Sequence, residues 1–249
     1  MKTKYLKLAV SALIGLSIVL SASILGSSYK YKFVANETIY TTGLAEKEFT
    51  SDLAVWSVSY SNKSLNKQQG FVQLKKDAKT IKEYLISKGF KESELVFSSI
   101  NSEKHYTYNE YRSNGEYRQE QVFDGYILSQ NVRIESKNLS IVELASREIT
   151  DLINVGIEIN SESPSYYYTK LEDLKIELIS KATENATLRA KQIAEKSGSD
   201  LGNLKSATMG VFQITGRNSS EQYEWGGVFN TTDKDKKASI TVKLNFGID

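Results

Sequence analysis

Residues 49–89 read FTSDLAVWSVSYSNKSLNKQQGFVQLKKDAKTIKEYLISKG, and within them the hydrophobic period changes once. Over Phe49–Tyr60 the period is two. Leu53, Val55, Ser57 and Ser59 fall on one face and Ala54, Trp56, Val58 and Tyr60 on the other. The second face is the more apolar, as in a half-buried strand. Over Leu65–Lys88 the apolar residues Phe71, Leu74, Ala78, Ile81 and Leu85 recur every three or four positions, which predicts an amphipathic helix. Gly89 closes it, since glycine readily takes the left-handed conformation past a helix end.

Reading outward, Thr38–Thr42 is a short strand, and Gly43 after it suggests a turn or bulge before the Phe49–Tyr60 strand. Two strands, about Leu95–Tyr108 and Tyr117–Glu135, flank Asn114-Gly115, a hairpin turn signal. A short helix follows at about Leu139–Ile153, then a strand near Gly156–Ser163 that Pro164 ends. The second long helix, about Lys170–Ser197, carries Leu174, Leu178, Ala182, Ala186 and Ile193 and stops at Gly198. Strands Lys205–Thr215 and Ala238–Phe246 enclose a polar, glycine-containing loop from Gly216 to Lys237.

Each long helix ends in lysine and glycine and re-enters a strand through a leucine: Lys88-Gly89 to Leu95, and Lys196-Ser197-Gly198 to Leu204. The expected fold is therefore α+β, two strand–helix–strand units with the long helices packed on antiparallel sheet. One N-terminal apolar helix precedes them. The domain plan is 1–28 as signal anchor or signal peptide, 29–36 as juxtamembrane linker and 37–249 as the α+β domain.

The N-terminal segment bears on compartment. Lys2, Lys4 and Lys7 precede Leu8–Gly26, a 19-residue run without charge. As a helix it is roughly 28 Å long, close to the bilayer hydrocarbon thickness. A basic tip and apolar core fit both a cleaved signal and a retained anchor. No Ala-x-Ala site ends the run, and Tyr29-Lys30-Tyr31-Lys32-Phe33 is an aromatic and basic flank suited to the headgroup boundary. These features favour the anchor, with the N-terminus inside. A cleaved chain would be soluble and periplasmic.

Composition narrows the chemistry. Thirty-two basic and thirty acidic residues are interspersed, so no concentrated basic face points to nucleic acid. Without cysteine, thiol catalysis and lipid attachment at cysteine are excluded. The one histidine, His105, lies in a predicted strand beside Tyr106 and Tyr108, with no Gly-x-Ser-x-Gly elbow to serve it. The usual zinc sites need more His and Cys than this. Asp233-Lys234-Asp235 is similar to a calcium loop but lacks its glycine and late glutamate. Gly198–Gly202 lacks the Lys-Ser/Thr of a phosphate-binding loop. No catalytic residue, cofactor or metal is expected, and no small-molecule ligand is specified.

The tyrosines are the better candidates for a site. Tyr106, Tyr108, Tyr111 and Tyr117 crowd the predicted hairpin, and Tyr166, Tyr167 and Tyr168 follow Pro164. Exposed tyrosines supply contact area at low entropy cost. Tyrosines alternating along a strand can equally line a sheet face.

Thr41-Thr42-Gly43-Leu44-Ala45-Glu46-Lys47-Glu48, continuing through Asp52-Leu53-Ala54-Val55-Trp56, resembles the opening of the SIMPL-domain family of bacterial envelope proteins. Ala186, Arg189-Ala190, Ala194, Gly198 and Leu201-Gly202 resemble its late helix, and Ser239–Phe246 its final strand. The resemblance implies an α+β fold outside the cytoplasmic membrane, no established catalytic residues, and links to oxidative or envelope stress. It also implies a tendency, seen in some relatives, to assemble into ring-like oligomers. The expected function is a non-enzymatic, membrane-anchored periplasmic protein that self-associates. The alternatives are a carboxylate-dependent hydrolase and a glycan- or peptide-binding module using the tyrosine hairpin.

Overall fold

The structure, a computed structural model, describes residues 2–34, 37–113 and 116–248. In chain order the elements are α1 (Lys2–Val34), β1 (Thr38–Thr50), β2 (Leu53–Ser64), α2 (Lys67–Ser87), β3 (Leu95–Phe97), β4 (Asn101–Ser113) and β5 (Glu116–Ser136). Then come α3 (Leu139–Glu148), which runs on as a 3-10 helix over Ile149–Val155, β6 (Glu158–Ser161), β7 (Ser165–Tyr167) and α4 (Leu171–Ser197). The last are β8 (Leu201–Met209), β9 (Gln213–Gly216) and β10 (Asp235–Ile248). The α+β class holds, and the chain divides into two compact units. The Asn114-Gly115 turn lies outside the described residues.

Within α1, Val10–Tyr29 is long and apolar enough to cross a membrane and none of it is buried. The helix continues to Val34, through most of the stretch read as a linker.

The first unit comprises residues 1–47, 173–212 and 239–249. Its sheet has the order β1-β10-β8, with β10 antiparallel to β8. The buried residues of α4 recur every fourth position: Leu174, Leu178, Ala182, Ala186, Ala190 and Ala194. Ile193, expected on that face, is 48% exposed, because a strict four-residue stripe selects Ala190 and Ala194 in its place. The alanines let α4 approach β1 backbone to backbone. A Cβ at Gly43 would stand 2.0 Å from the Ala182 carbonyl oxygen and 2.6 Å from the Ala186 nitrogen. Gly43 is therefore not a turn. β1 passes straight through it, and its glycine answers a close helix rather than a bend. Around that contact the Thr41 hydroxyl donates to the Ala186 carbonyl (3.0 Å), and Arg189 donates from Nη1 to the Thr42 carbonyl (2.9 Å).

The second unit comprises residues 48–172 and 213–238. Its six-stranded antiparallel sheet has the order β3-β5-β2-β6, with β4 on β5 and β7 on β2. The break between β1 and β2 falls at Ser51-Asp52. There the Asp52 carboxylate accepts from the Thr169 N–H and hydroxyl, both at 2.7 Å. Ala54, Trp56, Val58 and Tyr60 are buried, as the alternation requires. They pack with Leu74, Ile81 and Leu85 of α2 and with Val142, Ala145 and Ile149. The two largest polar-tipped side chains of this core are paired: Trp56 Nε1 donates to Ser161 Oγ (3.1 Å) and the Tyr60 hydroxyl to Gln130 Oε1 (2.6 Å). Asn66 caps α2 by accepting from the Gln68 and Gln69 N–H groups, and Gly89 follows the helix at φ +102°. Phe71 departs from the expectation. It is 45% exposed, while Gly70 and Asp77 of the same helix are buried.

The steric reading of Gly43 gives a direct test. Gly43→Ala places a methyl group against backbone that cannot swing aside, and should destabilise the fold by about 1–3 kcal/mol or more. Gly26→Ala, with open space around it, should leave the melting temperature unchanged. Thermal unfolding of the two variants checks this; equal melting temperatures would refute it.

Candidate functional site

The pairing of β2 with β5 ends at Ser64 and Tyr126. Beyond it β4 and β5 continue as a two-stranded ribbon among the described residues, from Lys104 opposite Tyr126 to Ser113 opposite Glu116. A bulge marks the root of this arm, where the register shifts between His105 and Tyr106. Gly125 sits there at φ +110°, and a Cβ on it would meet the Ser64 carbonyl oxygen at 2.8 Å. Asp124, the extra residue, pairs with Lys63 and lies 3.5 Å from His105 Nε2. His105 is thus part of the surface polar pairing at the bulge.

A bulge re-aims side chains, and here it sorts the tyrosines. Through the register Tyr106, Tyr108, Glu110 and Arg112 of β4 share a face with Phe123, Gln121, Gln119 and Tyr117 of β5. Tyr111 lies on the opposite face with Thr107 and Asn109. On the first face Tyr106 and Phe123 meet edge to face at 5.8 Å, and Phe123 and Tyr126 at 5.2 Å. The Arg112 guanidinium stands 4.5 Å over the Tyr117 ring and donates to its hydroxyl at 2.8 Å. Tyr117 itself is 74% exposed. The row leads into a groove of about 470 Å³ lined by Lys67, Phe71, Val72, Ile100 and Leu128, with Lys67 Nζ 5.9 Å over the Tyr126 ring. Val72 there is 68% exposed. An exposed surface that combines aromatic rings with an apolar groove in this way is a candidate contact surface.

Sequence reasoning named the four hairpin tyrosines but missed Phe71, Val72, Phe123 and Tyr126, which complete the surface. Phe123 could have been found from the alternation Tyr117, Gln119, Gln121, Phe123. Phe71 and Val72 carried a misleading signal, since one extends the helix's apolar stripe.

Tyr166, Tyr167 and Tyr168 lie elsewhere. Tyr166 pairs with Ala54 and Tyr167 with Leu53, at the opposite end of β2 from the arm. All three are half-buried. The Tyr168 ring packs on Phe49 at 4.8 Å, and the Tyr166 hydroxyl lies 3.4 Å from Glu143. Between Phe49, Tyr166, Tyr168, Leu171, Ile214 and Phe229 is a cavity of about 10 Å³, room for one water.

Lys236 closes that cavity from below and is only 2% exposed. Its ammonium donates to the carbonyls of Tyr166 (2.9 Å) and Asn230. Burial pulls it down to about 8, against which Asp233 and Glu221 act in the other direction. Beside it Asn230 Nδ2 bridges the two carboxylates, at 2.7 Å from Glu221 and 2.9 Å from Asp233. Asn230 and the Gly216 N–H hold Glu221 below the usual carboxylate range. The loop read as plain polar coil is thus organised around one buried amine. No cluster of three or more metal-ligating side chains forms among the described residues.

Compared with known protein families, residues 39–246 match SIMPL, described as a protein of unknown function (DUF541). The chain belongs to the SIMPL family. No curated protein matches the sequence. The two stretches that carried the resemblance meet in the SIMPL fold: Thr41, Thr42 and Gly43 of β1 touch Ala182, Ala186 and Arg189 of α4.

The buried amine of this SIMPL domain has a pH signature. Between about pH 8 and 10.5 the unfolded chain holds a proton at Lys236 that the folded chain has released, so stability rises with pH across that window. The neutral amine keeps two N–H donors for its two carbonyls. Lys236→Met lacks this linkage, and wild type should therefore gain melting temperature relative to it from pH 8 to 10. A constant difference across pH 7–10 would rule this out.

Proposed function

We propose that this SIMPL protein is non-enzymatic, is held by α1 on the periplasmic side of a membrane, and self-associates in support of envelope integrity or tolerance of oxidative stress. The observation that carries the reading is the exposed aromatic row of the β4–β5 arm and the apolar groove at its root. Large apolar patches of this kind on a folded protein mark contact surfaces. Support for anchoring comes from the span Val10–Tyr29, which is long and apolar enough to cross a membrane and is not buried.

The non-enzymatic part of the reading draws on the carboxyls. A hydrolase of the general-acid type raises one carboxyl toward neutrality. Asp52, Glu177 and Glu221 shift the other way. At Asp52 burial pushes the carboxyl up, but the Thr169 hydroxyl and N–H outweigh it. At Glu177, Lys181 and then Lys47 draw it down to about 2. These are carboxylates held ionised.

Chemical cross-linking of the full chain in its own membranes tests the association, and should give species above dimer. A strictly monomeric pattern at every cross-linker dose would overturn it. Amino-terminal sequencing of the membrane-extracted protein tests the anchor: a start at Met1 or Lys2 is expected, and a start near Ile24 or Tyr29 would make the protein soluble. A deletion strain should be more sensitive to peroxide or detergent than its parent.

A further inference from the structure

The outer edge of β4 is the least protected part of the second unit. β4 pairs only with β5, and beyond Tyr126 neither strand of the arm has a third neighbour among the described residues. A two-stranded ribbon is marginally stable alone in water. Edge strands are normally blunted by proline, bulges or charge. The middle of β4, Tyr106-Thr107-Tyr108-Asn109, has none of these; the bulge falls on β5, and β4 holds its extended register to Ser113.

The side chains along this edge are self-complementary in one register. In a sheet continued across a twofold axis perpendicular to it, directly opposed residues point to the same face, so even positions oppose even and odd oppose odd. With the axis at Thr107, Tyr106 opposes Tyr108 of the second copy and Lys104 opposes Glu110 of the second copy. The symmetry makes each pairing twice. Moving the axis to Tyr108 sets Lys104 against Arg112, and moving it to Tyr106 leaves Lys104 opposite Tyr108 and the carboxylate opposite Ser102. Only the Thr107 register joins opposite charges and aromatic pairs together. Lys104 makes no ion pair within the described residues and is exposed, and Glu110 accepts one hydrogen bond, from Gln119, with further lone pairs open.

We infer that the partner of the β4 edge is the β4 edge of a second copy, paired antiparallel about Thr107, so that two arms form one four-stranded sheet. The perpendicular axis keeps both aromatic rows on the same side of that sheet. This rests on the self-association proposed above and specifies where it occurs.

The chain has no cysteine, so Thr107→Cys introduces a single thiol. Opposed Cα atoms in an antiparallel pair are about 4.5–5.5 Å apart, within disulfide range. Mild oxidation of the full-length variant in its native membrane should give a disulfide dimer. Asn109→Cys should give little, since its own copy would lie roughly 14 Å away along the strand. Adding Lys104→Glu should lower the Thr107→Cys dimer yield about fivefold, and adding Glu110→Lys as well should restore it. If neither thiol dimerises, or both do equally, while amine cross-linking of wild type still traps oligomers, the edge register is wrong and self-association stands. If no cross-linker traps an oligomer, both fall. Circular dichroism matching wild type guards against a misfolded arm in each variant.

Discussion

The approach of α4 to β1 at Gly43 is the constraint on which the first unit is built. Two backbones meet where only a hydrogen can stand, and each neighbouring choice follows from that. The helix must present alanines at every fourth position, the strand must omit one side chain, and carbonyls pressed into the contact must find donors. The Thr41 hydroxyl and the Arg189 guanidinium supply them. Contact at this range admits few substitutions, which explains why a β1 segment and an α4 segment, far apart in sequence, carry the family likeness together. They are the two sides of one joint.

The second unit uses the opposite solution. Its helices stand off the sheet on large side chains, with Trp56, Tyr60, Leu74, Ile81 and Leu85 filling the layer between them. That difference decided what could be read beforehand. The Trp56 alternation and the Ile81–Leu85 spacing are direct consequences of bulky packing, and they were legible because apolar volume leaves a period in the sequence. Close packing leaves gaps in it. Gly43 reads as a turn and Ile193 as core, because a stripe of alanines is quieter than one leucine or isoleucine beside it.

The candidate surface was half legible for a related reason. A tyrosine announces itself as contact area, so the residues on the arm could be named. Which face each occupies depends on the register, and the register depends on a bulge that hydrophobic period cannot reveal. Phe71 belongs to the helix pattern and to the groove at once, and period alone assigns it to the core. Tyr166–Tyr168, chosen by the same criterion, sit half-buried over Lys236. Chemistry alone does not separate a tyrosine that packs from one that waits for a neighbour.

The bulge at Asp124 has a consequence for how this protein can change. Downstream of it the core-facing side of β5 is Tyr126, Leu128, Val132 and Ile134; upstream the same side continues as Phe123 and Tyr117. One inserted residue thus shifts the phase by which odd positions inherit the role of even ones. Substitutions along the arm alter its chemistry one position at a time. Loss of Asp124 itself, the unpaired residue, would remove the bulge and leave each face as it is. Loss of one paired residue farther out, such as Val122, would instead exchange the faces of the strand beyond it, setting Glu120 and Arg118 where Gln121 and Gln119 now stand. Length among the paired residues of the arm, more than composition, is the quantity that change must conserve, and the bulge is the one place where a residue can be lost without cost to the pattern.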